Sequence, residues 1–105
     1  MGVLIDWESL PWKEPGPGVH VKVSVRDGKV VTLLELSDGA SQEWCTKGHL
    51  IHVLAGEATL RLKDGDRAIP LRAGDTGILL DGEAEAHAIE PTAGKRIQVL
   101  LFEQP

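Results

Sequence analysis

From Val19 onward, apolar and polar residues alternate with a period of two. Val19, Val21, Val23 and Val25 are interleaved with His20, Lys22, Ser24 and Arg26. Side chains of a strand point alternately to its two faces, so this pattern predicts a strand with one face buried. Asp27-Gly28 then supplies a hairpin turn. Val30 to Leu36 is nearly all apolar and is expected to be a strand covered on both faces. Asp38-Gly39 turns the chain again. Gln42 to Thr46 reads as a short strand that Gly48 interrupts, and His49 to Leu54 as the next one, ended by a turn at Ala55-Gly56. Ala58, Leu60 and Leu62 alternate with Thr59, Arg61 and Lys63 up to the Asp64-Gly65 turn. Arg67 to Leu71, Ile78 to Leu80, Ala86 to Glu90 and Arg96 to Phe102 complete the set, separated by Ala73-Gly74-Asp75, Asp81-Gly82, and Pro91 with Gly94.

Turn signals at roughly 8–12-residue intervals are those of a sandwich or barrel. No segment carries an apolar stripe at helical spacing over three turns. Short strands of this kind bury their faces against a second sheet or close on themselves, so the expected fold class is all-β, a closed two-sheet barrel. The first eighteen residues differ. Pro11, Pro15 and Pro17, with Gly16 and Gly18, break any helix or central strand. Trp7 and Trp12 give this segment apolar anchors. Residues 1–18 are therefore expected to be an extended arm packed on the barrel or on a neighbouring subunit, and residues 19–105 a single barrel domain.

Composition narrows the function classes. A chain of 105 residues is one domain of ordinary size, with enough material for a core without disulfides. The net charge is −5 and the 11 basic residues are scattered from Lys13 to Arg96, which argues against nucleic acid as a partner. No apolar run is long enough to span a membrane. The N-terminal residues lack the basic and apolar regions of a signal peptide. The single cysteine, Cys45, excludes an intrachain disulfide and suits a reducing compartment, so a cytoplasmic location is expected.

Chemistry concentrates in Glu43-Trp44-Cys45-Thr46-Lys47-Gly48-His49. Glu43 and Cys45, two apart on an extended strand, share a face. His49 opens the following strand and can face the same interior. His87, on a later strand, can add a fourth group from across the barrel. A carboxylate, a thiolate and two imidazoles form a ligand set for a divalent transition metal (Zn, Fe, Ni or Cu) in preference to Mg or Ca. His52 falls on the face opposite His49, and His20 on the polar face of its strand; both are read as structural or surface residues.

These words also resemble a family. His49 to Gly65, with Val53-Leu54-Ala55-Gly56-Glu57 at its centre, resembles the first conserved motif of the cupins. Ala73-Gly74-Asp75 through His87 resembles the second, except that Leu80 replaces its proline and Glu83 to Ala86 runs two residues longer. A small cupin subfamily carries Asp-His-Trp-Cys followed by Lys-Gly-His. Trp44, Cys45, Lys47, Gly48 and His49 match it, while Gln42 and Glu43 replace its aspartate and histidine. The resemblance implies a jelly-roll barrel over roughly residues 19–102. It also implies that Cys45, His49 and His87 stand in ligand positions. Glu43 would either complete the set or act beside the metal as a base.

The expected function is a metalloprotein with one transition-metal ion in the barrel, acting as an oxygenase or isomerase on a small organic substrate. The alternatives are a non-catalytic metal- or ligand-binding sensor and a barrel that has lost its metal. Trp44, Leu50, His52 and Leu54 are expected on one outer face, where they would make a homodimer contact.

Overall fold

A computed structural model of the chain describes residues 3–40 and 44–103. Its strands are β1 (Lys13–Gly16), β2 (Val19–Arg26), β3 (Lys29–Ser37), β4 (His49–Leu62), β5 (Arg67–Arg72), β6 (Thr76–Leu79), β7 (His87–Pro91) and β8 (Arg96–Glu103). All pairings among them are antiparallel. One sheet runs β1-β2-β3-β8-β4-β6, and the second is β5-β4-β7. Strand β4 belongs to both: its first half pairs with β6 and β8, its second half with β5 and β7.

This corrects the expected turn at Ala55-Gly56. The chain bends there without reversing, and the β4–β8 register shifts between Val53 and Ala55. Gly56 has φ +92°, and a Cβ at that position would collide with the backbone of Arg96. The glycine permits a bulge through which one long strand passes from one sheet to the other. The expected strand at Gln42 to Thr46 is also reduced. Its described part makes a single bridge, Cys45 to His87, and Gln42 and Glu43 lie outside the described residues.

The period of two decides which side chains form the core. Leu34 and Leu36 of β3 face Val99 and Ile97 of β8, and Val53 of β4 faces Val99 from the other side. Leu36, Ile51, Val53, Ile97 and Val99 are fully buried. Each such side chain contributes roughly 1.5–3 kcal/mol of burial. β3 was expected to be covered on both faces, but its outward residues Val31, Leu33 and Glu35 are only half-buried. An antiparallel strand needs only one core face.

That segment contributes an edge strand. β1 pairs with β2 through Lys13–Val21 and Gly16–Val19; Pro15 is tolerated at an edge because no further strand needs its missing N–H. Trp7 begins a short 3₁₀ turn, and its carbonyl accepts a 2.6 Å hydrogen bond from Lys22 Nζ. The same ammonium lies 4.8 Å from the centre of the Trp12 ring. Lys22, although charged, is buried beneath these two groups.

Candidate metal centre

Cys45 and His87 are placed opposite one another by a reciprocal backbone pair. The Cys45 N–H donates to the His87 carbonyl at 2.8 Å, and the His87 N–H donates to the Cys45 carbonyl at 3.0 Å. The following loop is wedged against the exit of β6. The Gly48 N–H donates to Asp81 Oδ1 at 2.6 Å, and the Gly82 N–H donates to the Thr46 carbonyl at 2.8 Å. A Cβ on Gly48 would meet the backbone of Leu79, Leu80 and Asp81 within 3 Å. Only glycine allows this approach, which delivers His49 to the start of β4 on the same inward face as Ile51 and Val53.

The result is a compact cluster. His49 Nε2 lies 3.0 Å from His87 Nε2 and 3.8 Å from Cys45 Sγ. The three ligand atoms all fall within 4.8 Å of one another. A tetrahedral zinc ion with its usual bond lengths separates two nitrogens by about 3.3 Å and a nitrogen from a sulfur by about 3.6 Å. The two distances to His49 Nε2 are close to that geometry, while the Cys45–His87 separation, bounded by 4.8 Å, is wider. The His49 imidazole is 7% exposed, although the residue as a whole is half-buried. His87 is 4% exposed, and Cys45 is half-buried.

The hydrogen bonds on the far sides of the rings decide what the near sides can do. His49 Nδ1 is 3.1 Å from Glu103 Oε1, and His87 Nδ1 is 2.9 Å from the Glu85 carbonyl oxygen. Both acceptors require a proton on Nδ1, leaving a lone pair on each Nε2. Two lone pairs thus face each other at 3.0 Å beside a thiol. That arrangement is repulsive unless a metal ion stands between them or one ring takes up a proton on Nε2 and donates it to the other. Burial, with His87 next to it, holds His49 below its ordinary pKa against the opposing pull of Glu103. Its neutral, ligating form is favoured accordingly.

Glu103 was not singled out from the sequence. It ends β8 in the inward series Ile97, Val99, Leu101, Glu103, and an acid at the end of an inward apolar row was the available signal. Its second oxygen pairs with Lys47 Nζ at 3.1 Å. One carboxylate therefore holds both a ligand ring and the loop between Cys45 and His49.

Of the other residues read from the sequence, Glu43 lies outside the described residues. His52 points outward and bonds Thr76 Oγ1 at 2.7 Å, and His20 pairs with Glu14 at the edge of the first sheet. Trp44 does not share a face with Leu50, as had been expected. It borders a surface pocket with Arg61 and Glu90 on the outer side of the second sheet, next to the point where Cys45 bridges to His87 of β7.

A cavity of about 450 Å³ opens over the cluster. Cys45, His49, His87 and Glu103 border it on one side, apolar side chains from β2, β3, β4, β7 and β8 on the other, and Pro15 and Gly16 of β1 also line it.

No protein-family model matches the chain, and no curated protein matches it. Solved structures do. The polyketide cyclase RemF from Streptomyces resistomycificus superimposes with a TM-score of 0.81 at 22% identity, covering 100% of this chain and 82% of that one. A predicted oxalate decarboxylase from Thermotoga maritima gives 0.76 at 13% identity, covering 98% and 100%. A cupin-like protein from the same organism gives 0.70 at 19% identity, covering 82% and 68%. At these identities the likeness concerns the fold, which is the cupin jelly roll.

Proposed function

We propose that this cupin barrel holds one divalent transition-metal ion on Cys45, His49 and His87 and acts through it on a small organic molecule. The observation that carries the reading is the pair of Nε2 atoms facing each other at 3.0 Å beside the Cys45 sulfur, each on a ring whose Nδ1 meets an oxygen acceptor. A mixed thiolate and imidazole set suits Zn, Fe, Ni or Cu. Glu43, two residues before Cys45, is the fourth ligand in this reading or a base next to the metal.

A bound ion supplies Lewis-acid polarisation or a redox centre, the chemistry an isomerase or an oxygenase needs. The chain's own residues do the rest. Glu103 and the Glu85 carbonyl hold the two imidazoles in the ligating tautomer. The backbone pair between Cys45 and His87 sets their separation. The apolar wall of the cavity limits water and the size of what enters. Ligation through a thiolate fits a reducing, cytoplasmic setting. No helix among the described residues is long and apolar enough to cross a membrane.

The working unit in this reading is a homodimer. Ile78, Leu50 and Phe102 follow one another across the outer face of β6, β4 and β8, and they are 72%, 37% and 40% exposed. An apolar row of this kind is ordinarily covered.

Metal analysis of the purified protein tests the main reading. About one transition-metal ion per chain is expected, following from the single ligand set. Cys45→Ala and His49→Ala should lose it and His52→Ala should keep it. Equal metal in all of these proteins would remove the assignment.

A further inference from the structure

The charges around the cavity restrict what it can accept. Its apolar wall is built from Val19, Leu34, Ile51, Ile89 and Leu101. No lysine or arginine borders it among the described residues. Among the described residues the one carboxylate on its lining is Glu103, whose oxygens are already engaged by His49 and Lys47. Lys47 itself is half-exposed and does not line the cavity.

We infer that the cavity takes an apolar molecule, up to the size of a compact bicyclic ring, bearing a single anionic or neutral oxygen group, and that it rejects dianions. The inference rests on the metal reading above. A divalent ion and the Cys45 thiolate leave one net positive charge at the centre. Glu103 and Lys47 cancel. One oxygen group can therefore meet the ion with its charge compensated. A second carboxylate on the same molecule would meet the apolar wall, where no lysine or arginine lines the cavity among the described residues, and an unpaired buried charge is strongly disfavoured. The volume of about 450 Å³ lies in the range of small-molecule sites. Most of the surface that a ligand would touch is aliphatic, so the body of the molecule contributes to binding by leaving water.

The test uses matched probes that share one ring: benzoate and terephthalate. Binding is followed by calorimetry and by shifts of the cavity methyl resonances, with metal content measured on the same sample. Benzoate is expected to bind at least about tenfold more tightly than terephthalate, one buried unpaired charge being worth no less than this. Pro15→Arg, which places a cation on the exposed edge strand that lines the cavity, is expected to bring terephthalate close to parity with benzoate. Terephthalate binding as tightly as benzoate to the wild-type protein would overturn the inference. So would the failure of both to bind at millimolar concentration. The two readings fail separately: a metal-bearing protein without the preference overturns this inference alone, and a metal-free protein that keeps the preference overturns the metal reading alone.

Discussion

Replacing Glu103 with alanine removes the one side chain that holds two parts of the candidate centre at once. Its Oε1 accepts the His49 Nδ1 proton at 3.1 Å, and its Oε2 pairs with Lys47 Nζ at 3.1 Å. Without it, the imidazole is free to exchange tautomers, and the tautomer with the proton on Nε2 cannot ligate. The loop that delivers Cys45 also loses its tie to β8. Removal of an outer-shell partner of a metal-bound histidine typically weakens metal affinity 10–100-fold, about 1.4–2.7 kcal/mol. Glu103→Gln keeps a carbonyl acceptor but loses the charge. Charge-assisted hydrogen bonds are about twice as strong as neutral ones, so roughly half of that loss is expected. The change in folding stability should be modest, because the Lys47 pair is half-exposed and the contact with the neutral His49 ring is a single hydrogen bond. Competition with a chelator of known zinc affinity reads the first effect and thermal denaturation the second. A zinc affinity for Glu103→Ala within about twofold of wild type, with His49→Ala unable to bind, would refute the role given to this carboxylate.

Further outcomes are expected elsewhere in the molecule. Gly56→Ala forces a Cβ into the backbone of Arg96 at φ +92° and should cost about 2–3 kcal/mol in urea denaturation. Gly94→Ala, at φ +74° with open space around it, should cost closer to about 1 kcal/mol. Lys22→Ala removes the donor to the Trp7 carbonyl and the cation next to Trp12. Tryptophan emission should shift to the red, and an unshifted spectrum would show that the arm is held by other contacts. The lowered pKa of His49 has a definite sign. The unfolded chain takes up a proton at this site more readily than the folded one, so the contribution to stability is complete above pH 6.5 and is lost as pH falls below it through the lowered folded value. Metal release should follow the same direction, and a metal-free stability flat from pH 7 to pH 5 would contradict it. Ile78→Glu combined with Phe102→Glu should give a monomeric mass by light scattering if the outer face of the first sheet joins two copies.

The strands were legible because alternation and Asp-Gly turns are local signals. Val19–Arg26 and its turn at Asp27-Gly28 needed nothing beyond neighbouring residues. The bend at Gly56 was not legible, because a glycine between two apolar runs reads as a turn when the partners of those runs are unknown. Here the partners are β8 on one side and β5 with β7 on the other, all distant in sequence. The same limit applies to the centre. Cys45, His49 and His87 were recognisable from residue type and spacing, and the fold brings them within 4.8 Å. The groups that set their tautomers were not recognisable, since Glu103 stands 54 residues from His49 and the partner of His87 is a backbone carbonyl. Trp44 was assigned to the wrong face because strand alternation was carried through a segment whose described residues make only one bridge.

Cobalt(II) titration of the metal-stripped protein tests the central claim most directly. A thiolate-to-cobalt absorption band in the near ultraviolet should grow and saturate at about one equivalent per chain, since there is one ligand set with one thiolate. The band should be absent in Cys45→Ser and lost in His49→Ala. A wild-type protein that shows no such band, or one that keeps it without Cys45, would contradict a metal centre built on Cys45, His49 and His87.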